Sequence, residues 1–301
     1  MNPRRSPLLV MALLFSLWGR HATAGPQLEH GFVDSDGVKI HYVEAGEGPL
    51  VVLIHGFPDF WYSWRDQIPA LAKHFHVVAM DQRGFNKSGQ PEAVEDYRID
   101  KLVGDVEAVI DHFGVKRATV VGHDWGGFVA WSFAMARPQR TARLMVLNLP
   151  HPRGLVRELA KKGAQHKSSQ YARNFQKPGF EAMLTPAALA RWVREPEARK
   201  KYVEALGRSS MTGMLNFYRA NYPREPYQVE PSLERPVLCP VLVIHGLKDR
   251  YLLSSALGDN WKWVRGEFTL VTIPEAGHFV HRERPARVTA HMLRWLKSHF
   301  R

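Results

Sequence analysis

The apolar positions of the chain fall into short runs rather than alternating ones. Leu50 to Ile54 is unbroken, and Val77 to Met80, Ala118 to Val121, Leu144 to Leu147 and Val241 to Ile244 are further short apolar runs, each rich in Val, Ile or Leu and bounded by turn residues. Runs of this length read as strands buried on both faces. Helical stretches separate them, and strand–helix alternation of this kind predicts a parallel sheet covered on both sides. Ahead of these runs, Val38 to Val43 alternates after a turn at Asp34-Ser35-Asp36-Gly37, which predicts a hairpin with Phe32-Val33.

One region breaks the rhythm. From His151 to Pro231 no strand pattern appears, and the sequence reads as helices joined by loops at Lys177-Pro178-Gly179 and Pro223-Arg224-Glu225-Pro226. The expected organisation is a core of residues 25–150 and 232–301 with a helical lid, 151–231, inserted over the carboxyl edge of the sheet. A chain of 301 residues is long enough for one α/β domain with such an insert.

The N-terminus reads differently. Arg4 and Arg5 precede an apolar run of eleven residues, Leu8 to Trp18, and Ala22-Thr23-Ala24 supplies a small-x-small cleavage site. This is a secretory signal pattern over residues 1–24. The run is too short for a comfortable membrane span. The expectation is export to the periplasm or medium, a mature start at Gly25, and no stable span after cleavage; an uncleaved anchor is the alternative.

Charge changes the picture little. The formal net charge is +12, and removal of residues 1–24 lowers it to +9. Over 151–231 there are fifteen Lys and Arg against seven Asp and Glu, so most of the excess sits in the helical insert. These charges are scattered along helices without a basic run, which reads as a solvated face, and no nucleic-acid partner is expected. Cys239 is the only cysteine, which excludes an intramolecular disulfide and reads as a buried small hydrophobe.

The chemistry gathers where the predicted strands end. Ala118 to Val121 runs into Gly122-His123-Asp124-Trp125-Gly126-Gly127 and then a helix pattern. This has the spacing of the G-x-S-x-G nucleophile elbow, with aspartate at the serine position. The glycines leave room for a strained strand-to-helix turn, and the helix N-terminus favours a carboxylate there. Asp124 is the expected nucleophile. Leu50 to Ile54 ends in His55-Gly56-Phe57-Pro58, whose backbone places the N–H of Phe57, with that of Trp125, as an oxyanion hole. Asp249, just past Val241 to Ile244, is the expected acid, and His278, in Glu275-Ala276-Gly277-His278-Phe279, the expected base; His281 is its nearest rival. The order Asp124, Asp249, His278 is that of α/β-hydrolases.

With these residues in hand, the chain resembles the α/β-hydrolase epoxide hydrolases over nearly its whole mature length. Gly46-x-Gly48-Pro49, His55-Gly56-Phe57-Pro58, Trp64-Arg65, Asp81-Gln82-Arg83-Gly84 with Ser88, the Asp124 elbow and Phe217-Tyr218-Arg219-Ala220-Asn221 carry the resemblance. It implies an α/β-hydrolase fold, an epoxide substrate, water as co-substrate and no cofactor or metal. No metal-ligand spacing or dinucleotide motif is visible. It also implies two lid tyrosines that hydrogen-bond the epoxide oxygen, of which Tyr218 matches the second. At the first, a Y-F-Q-x-P-G pattern is expected, and Asn174-Phe175-Gln176-Lys177-Pro178-Gly179 stands there, with Asn174 in place of tyrosine. His55, Pro58 and Asn174 are expected to contact substrate. The competing readings are a haloalkane dehalogenase that uses the same aspartyl ester, with Trp125 and Trp192 as halide donors, and a secreted binding or effector protein on a hydrolase scaffold.

Overall fold

The structure is a computed structural model in which residues 27–300 are described; the signal pattern over 1–24 lies outside them. Eight strands form one sheet: β1 (Glu29–Ser35), β2 (Val38–Ala45), β3 (Leu50–Ile54), β4 (His76–Met80), β5 (Ala118–His123), β6 (Thr141–Leu147), β7 (Val241–Gly246) and β8 (Phe268–Ile273). Their order is β1-β2-β4-β3-β5-β6-β7-β8. β1 and β2 pair antiparallel, β2 is antiparallel to β4, and every later pairing is parallel.

The hairpin is shorter-turned than its four-residue sequence signal. Ser35 pairs directly with Val38, so Asp36 and Gly37 alone make the turn, with φ of 54° and 81°. Two positive φ values mark a two-residue turn whose twist matches the flanking strands, and Asp-Gly is a preferred pair for it.

The five apolar runs are all interior strands. On β3, Val52 and Ile54 join one hydrophobic cluster while Val51 and Leu53 join the other, and all four are fully buried. Successive strand side chains point to opposite faces, so a strand covered on both sides has no polar position to spare. Burying a Val, Leu or Ile side chain contributes roughly 1.5–3 kcal/mol. β8 was not among the predicted runs. It is the edge strand, its exposure alternates, and Leu270 stays 41% exposed. Cys239, just before β7, is buried, and burial pushes its thiol up to about 12.

Between β6 and β7 the described chain is helical. It includes the helices Pro152–Ala160, Gln170–Phe175, Pro196–Arg208 and Met211–Asn221. Residues of Pro152–Ala160, Gln170–Phe175 and Met211–Asn221, with Asp124 and Trp125 past the end of β5, line one cavity of about 700 Å³.

Candidate active site

β5 ends at His123 and the next helix starts at Trp125, so a single residue, Asp124, makes the reversal. Its φ is 52° and ψ −121°, a conformation that costs a non-glycine residue of order 1–3 kcal/mol. The crossing is close enough to exclude side chains. A Cβ on Gly122 would lie 2.0 Å from the Gly126 carbonyl oxygen, and one on Gly126 would lie 2.2 Å from that of Ile54. The Asp124 carbonyl accepts the Phe128 N–H at 3.0 Å, as an N-cap does.

The Asp124 carboxylate is held at both oxygens. The Phe57 N–H donates to Oδ1 at 2.8 Å, and His278 Nε2 lies 3.4 Å from Oδ2. On the far side of the ring, His278 Nδ1–H donates to Asp249 Oδ2 at 2.9 Å. Asp249 Oδ1 accepts the backbone N–H groups of Tyr251 and Leu252, at 2.8 and 3.0 Å. Asp124, Asp249 and His278, expected from three separate strand ends, therefore form one chain of contacts. Trp125 follows Asp124 as the first helical residue, so its N–H is among those with no intrahelical partner.

The charges follow from burial and pairing. Burial pushes the Asp249 carboxyl up, yet the His278 charge and hydrogen bonds from His278 and Asn148 outweigh it and hold it well below the usual carboxylate range. Burial likewise opposes ionisation of Asp124, and His278 again wins, lowering it. For His278 burial favours the neutral ring, but Asp249 and Asp124 raise it well above its ordinary value. The mutual contacts thus favour a protonated ring between two ionised carboxylates.

Asn148 was not singled out in the sequence. It follows β6 with φ 45°, its amide donates to Asp249 Oδ2 at 2.6 Å and to the Gly277 carbonyl at 3.1 Å, and its Oδ1 accepts the Gly246 N–H at 3.3 Å. It ties the acid to the loop of the base. Nothing in Leu147-Asn148-Leu149 marks such a role before the strands are aligned.

The cavity wall is aromatic around Asp124. Tyr218, on Met211–Asn221, is 2% exposed, with its ring 4.9 Å from that of Trp125 and 5.6 Å from that of Phe57. A second tyrosine faces it. Tyr171 lines the same cavity, its ring 6.1 Å from Tyr218 and 5.2 Å from Tyr251. Burial above all, with Asp124 nearby, raises both hydroxyls well above the ordinary tyrosine value, so both are protonated phenols.

Three expected substrate contacts are corrected. Asn174 does not line the cavity; its Oδ1 accepts from Gln170 Nε2 at 3.2 Å on the exposed side of Gln170–Phe175. Tyr171, three residues earlier and on the same helix, takes the place expected of residue 174. His55 is fully buried and engaged at both nitrogens: Nδ1–H donates to the Gly56 carbonyl at 2.8 Å, and Nε2 accepts the Gln82 N–H at 3.0 Å. It shapes the Phe57 loop instead of touching substrate. Pro58 is buried in that loop and does not line the cavity either. Trp192 stacks face to face on Phe279 at 3.6 Å and is likewise absent from the cavity wall. His281 lies against Trp64 and His123, not against Asp249.

Residues 49–285 match the α/β-hydrolase fold family. The AB hydrolase superfamily protein YfhM of Bacillus subtilis (strain 168) is 36% identical, the alignment covering 89% of this chain and 97% of that protein. Epoxide hydrolase A of Mycobacterium tuberculosis is 33% identical over 88% of this chain and 96% of its own length. Among solved structures, the Bacillus megaterium epoxide hydrolase in complex with an inhibitor superposes with a TM-score of 0.81 at 31% identity, covering 89% of this chain and all of that one. The chain therefore belongs to the α/β-hydrolase fold family and, with the Mycobacterium tuberculosis and Bacillus megaterium enzymes, to the epoxide hydrolases within it.

Proposed function

We propose that this protein hydrolyses an epoxide to a vicinal diol through an ester on Asp124. The observation that carries the reading is the pairing, across one cavity, of a carboxylate at the elbow with two protonated tyrosines, Tyr171 and Tyr218. A carboxylate alone displaces a good leaving group. An epoxide oxygen leaves as a strongly basic alkoxide, and phenol donors are what that step needs.

In the first step an Asp124 oxygen forms a bond to an epoxide carbon as the ring C–O bond breaks. The tyrosines hydrogen-bond the ring oxygen and supply its proton. The His278 imidazolium then gives up its proton, which restores the tyrosine and leaves His278 neutral. In the second step His278 takes a proton from water, and the resulting hydroxide adds to the ester carbonyl. The N–H groups of Phe57 and Trp125 stabilise the oxyanion, and Asp249 fixes the ring and stabilises the imidazolium. Collapse breaks the ester C–O bond at the carbonyl carbon, the proton of the added hydroxyl passes to the leaving oxygen, and the diol and the Asp124 carboxylate are freed.

Halide displacement through the same ester is the second reading. It needs no proton donor, and the lid tryptophan expected to hold halide, Trp192, is stacked on Phe279 away from the cavity. The helical segment 151–231 acts as the lid in this reading. The signal pattern supports release of the mature protein, from Gly25, to the periplasm or medium.

The decisive test is isotopic. With enzyme in excess over epoxide in H₂¹⁸O, the first turnover should give diol free of ¹⁸O, since its new oxygen comes from Asp124, and the label should appear in that carboxylate. Label in the diol on the first turnover would mean direct attack by water. A parallel haloalkane panel decides between the two substrate classes.

A further inference from the structure

Behind the catalytic base lies a second cluster that the triad does not use. Asp59, of the Phe57 loop, His123, the last residue of β5, and His281 are all buried, at 1%, 0% and 0% exposure. Among the described residues they form a group whose three donor atoms lie within 4.8 Å of one another. Each has an atom with no hydrogen-bond partner: Asp59 Oδ2, His123 Nδ1 and both ring nitrogens of His281.

On Asp59 and His123 the other atom is already held, and that fixes which lone pair each turns inward. Asp59 Oδ1 accepts the Tyr202 hydroxyl at 2.5 Å. His123 Nε2 stands 2.9 Å from the His278 carbonyl oxygen, which can only accept, so Nε2 carries the proton and Nδ1 offers a lone pair. That lone pair faces Asp59 Oδ2 across 4.0 Å. Two acceptors opposed in a dry interior repel each other, and a cation between them turns the repulsion into two bonds.

We infer that Asp59, His123 and His281 form a buried site for a divalent transition metal of the zinc class. Two ligands on a tetrahedral zinc at about 2.0–2.1 Å sit about 3.3–3.4 Å apart, so the 4.0 Å gap must close by about half an ångström when the ion binds, and His281 supplies a third donor. Two imidazoles and one carboxylate suit a borderline ion, whereas calcium and magnesium prefer all-oxygen sets. The outer partners are those of metal ligands, the histidine donating its other N–H to a backbone carbonyl and the carboxylate fixed by a hydroxyl. Burial lowers His123 and His281 toward the neutral form that binds metal, and it pushes the Asp59 carboxyl up to about 7, so an ion binds there in competition with a proton.

The site lies directly behind the base, with the rings of His123 and His278 4.9 Å apart. The binding claim stands apart from the epoxide reading.

The test dialyses the full mature protein against zinc, removes free ion, and measures metal per chain by mass spectrometry of the elements. Cobalt serves as a spectroscopic probe of a tetrahedral nitrogen and oxygen set. Wild type should retain one zinc per chain more than His281→Gln and Asp59→Asn, each weakened at least about tenfold, since even outer partners are worth about 10–100-fold in affinity. Thermal melts identify any variant that fails to fold; two independent substitutions keep the comparison valid. His278→Gln should still bind. Equal zinc in wild type and both variants, or loss of zinc in His278→Gln, which would move the ion to the triad, overturns the site.

Discussion

His278 Nε2 lies 3.4 Å from Asp124 Oδ2, while its Nδ1 lies 2.9 Å from Asp249 Oδ2. The proposed base, His278, is thus tied closely to the proposed acid, Asp249, and more loosely to the proposed nucleophile, Asp124. That asymmetry suits a group that must turn from Asp124 to a water molecule once the carboxylate has become an ester. Replacing His278 with Gln removes the proton acceptor and leaves Asp124 in place. His278→Gln should form the ester and fail to release it, raising the protein mass by that of the epoxide after mixing. Asp124→Ala should show no adduct and no turnover; turnover in that variant would sink the nucleophile assignment.

In the proposed reaction Tyr171 and Tyr218 share the proton-donor role across the cavity. Loss of one preorganised donor costs about 10²–10³ in rate. Tyr218→Phe and Tyr171→Phe should each slow epoxide opening by that order, and the double variant should abolish it. Asn174→Ala should leave kcat within about twofold, because its amide bonds Gln170 outside the cavity. Stopped-flow tryptophan fluorescence separates ring opening from ester hydrolysis. A large loss in Asn174→Ala would restore the residue to the site.

Asp249 links the site to acid stability. Its carboxyl is depressed in the folded protein, so the unfolded chain takes up the proton first as pH falls. The stability it contributes is fully present above about pH 4, the reference range of a free aspartate, and is lost below it. Between pH 6 and 3 the melting temperature of wild type should fall more steeply than that of Asp249→Asn. Parallel curves would show that the triad acid is not depressed.

Arg83 and Asp105 form a buried bidentate pair, at 2.8 and 2.6 Å, with both side chains 2% exposed. Breaking a buried pair by removing one partner costs about 3–5 kcal/mol. Asp105→Ala should lose stability by that amount in denaturant titrations, since it strands the guanidinium. A loss below about 1 kcal/mol would mean that water replaces the carboxylate.

Export is tested by intact mass. Protein recovered from periplasm or medium should begin at Gly25. A species that keeps Met1 in the cytoplasm would remove the signal assignment.

The sequence by itself determined the sheet's interior strands and the residues at their carboxyl ends. Strands buried on both faces must be apolar throughout, so Leu50 to Ile54 or Val241 to Ile244 could read as little else. The turn at Asp124 needs glycines at fixed offsets, so the elbow, and with it the order Asp124, Asp249, His278, was visible in one dimension. The edge strand β8 was not, because one exposed flank relaxes the apolar pattern. Only the tertiary structure decided which lid residue faces Asp124. The expected motif pointed to Asn174, and the way the short helix Gln170–Phe175 seats against Tyr218 and Tyr251 put Tyr171 there instead. The same holds for Asn148, and for Asp59, His123 and His281. Their meaning lies in distances between residues from separate strand ends and loops, and such distances exist only once the sheet has brought those ends together.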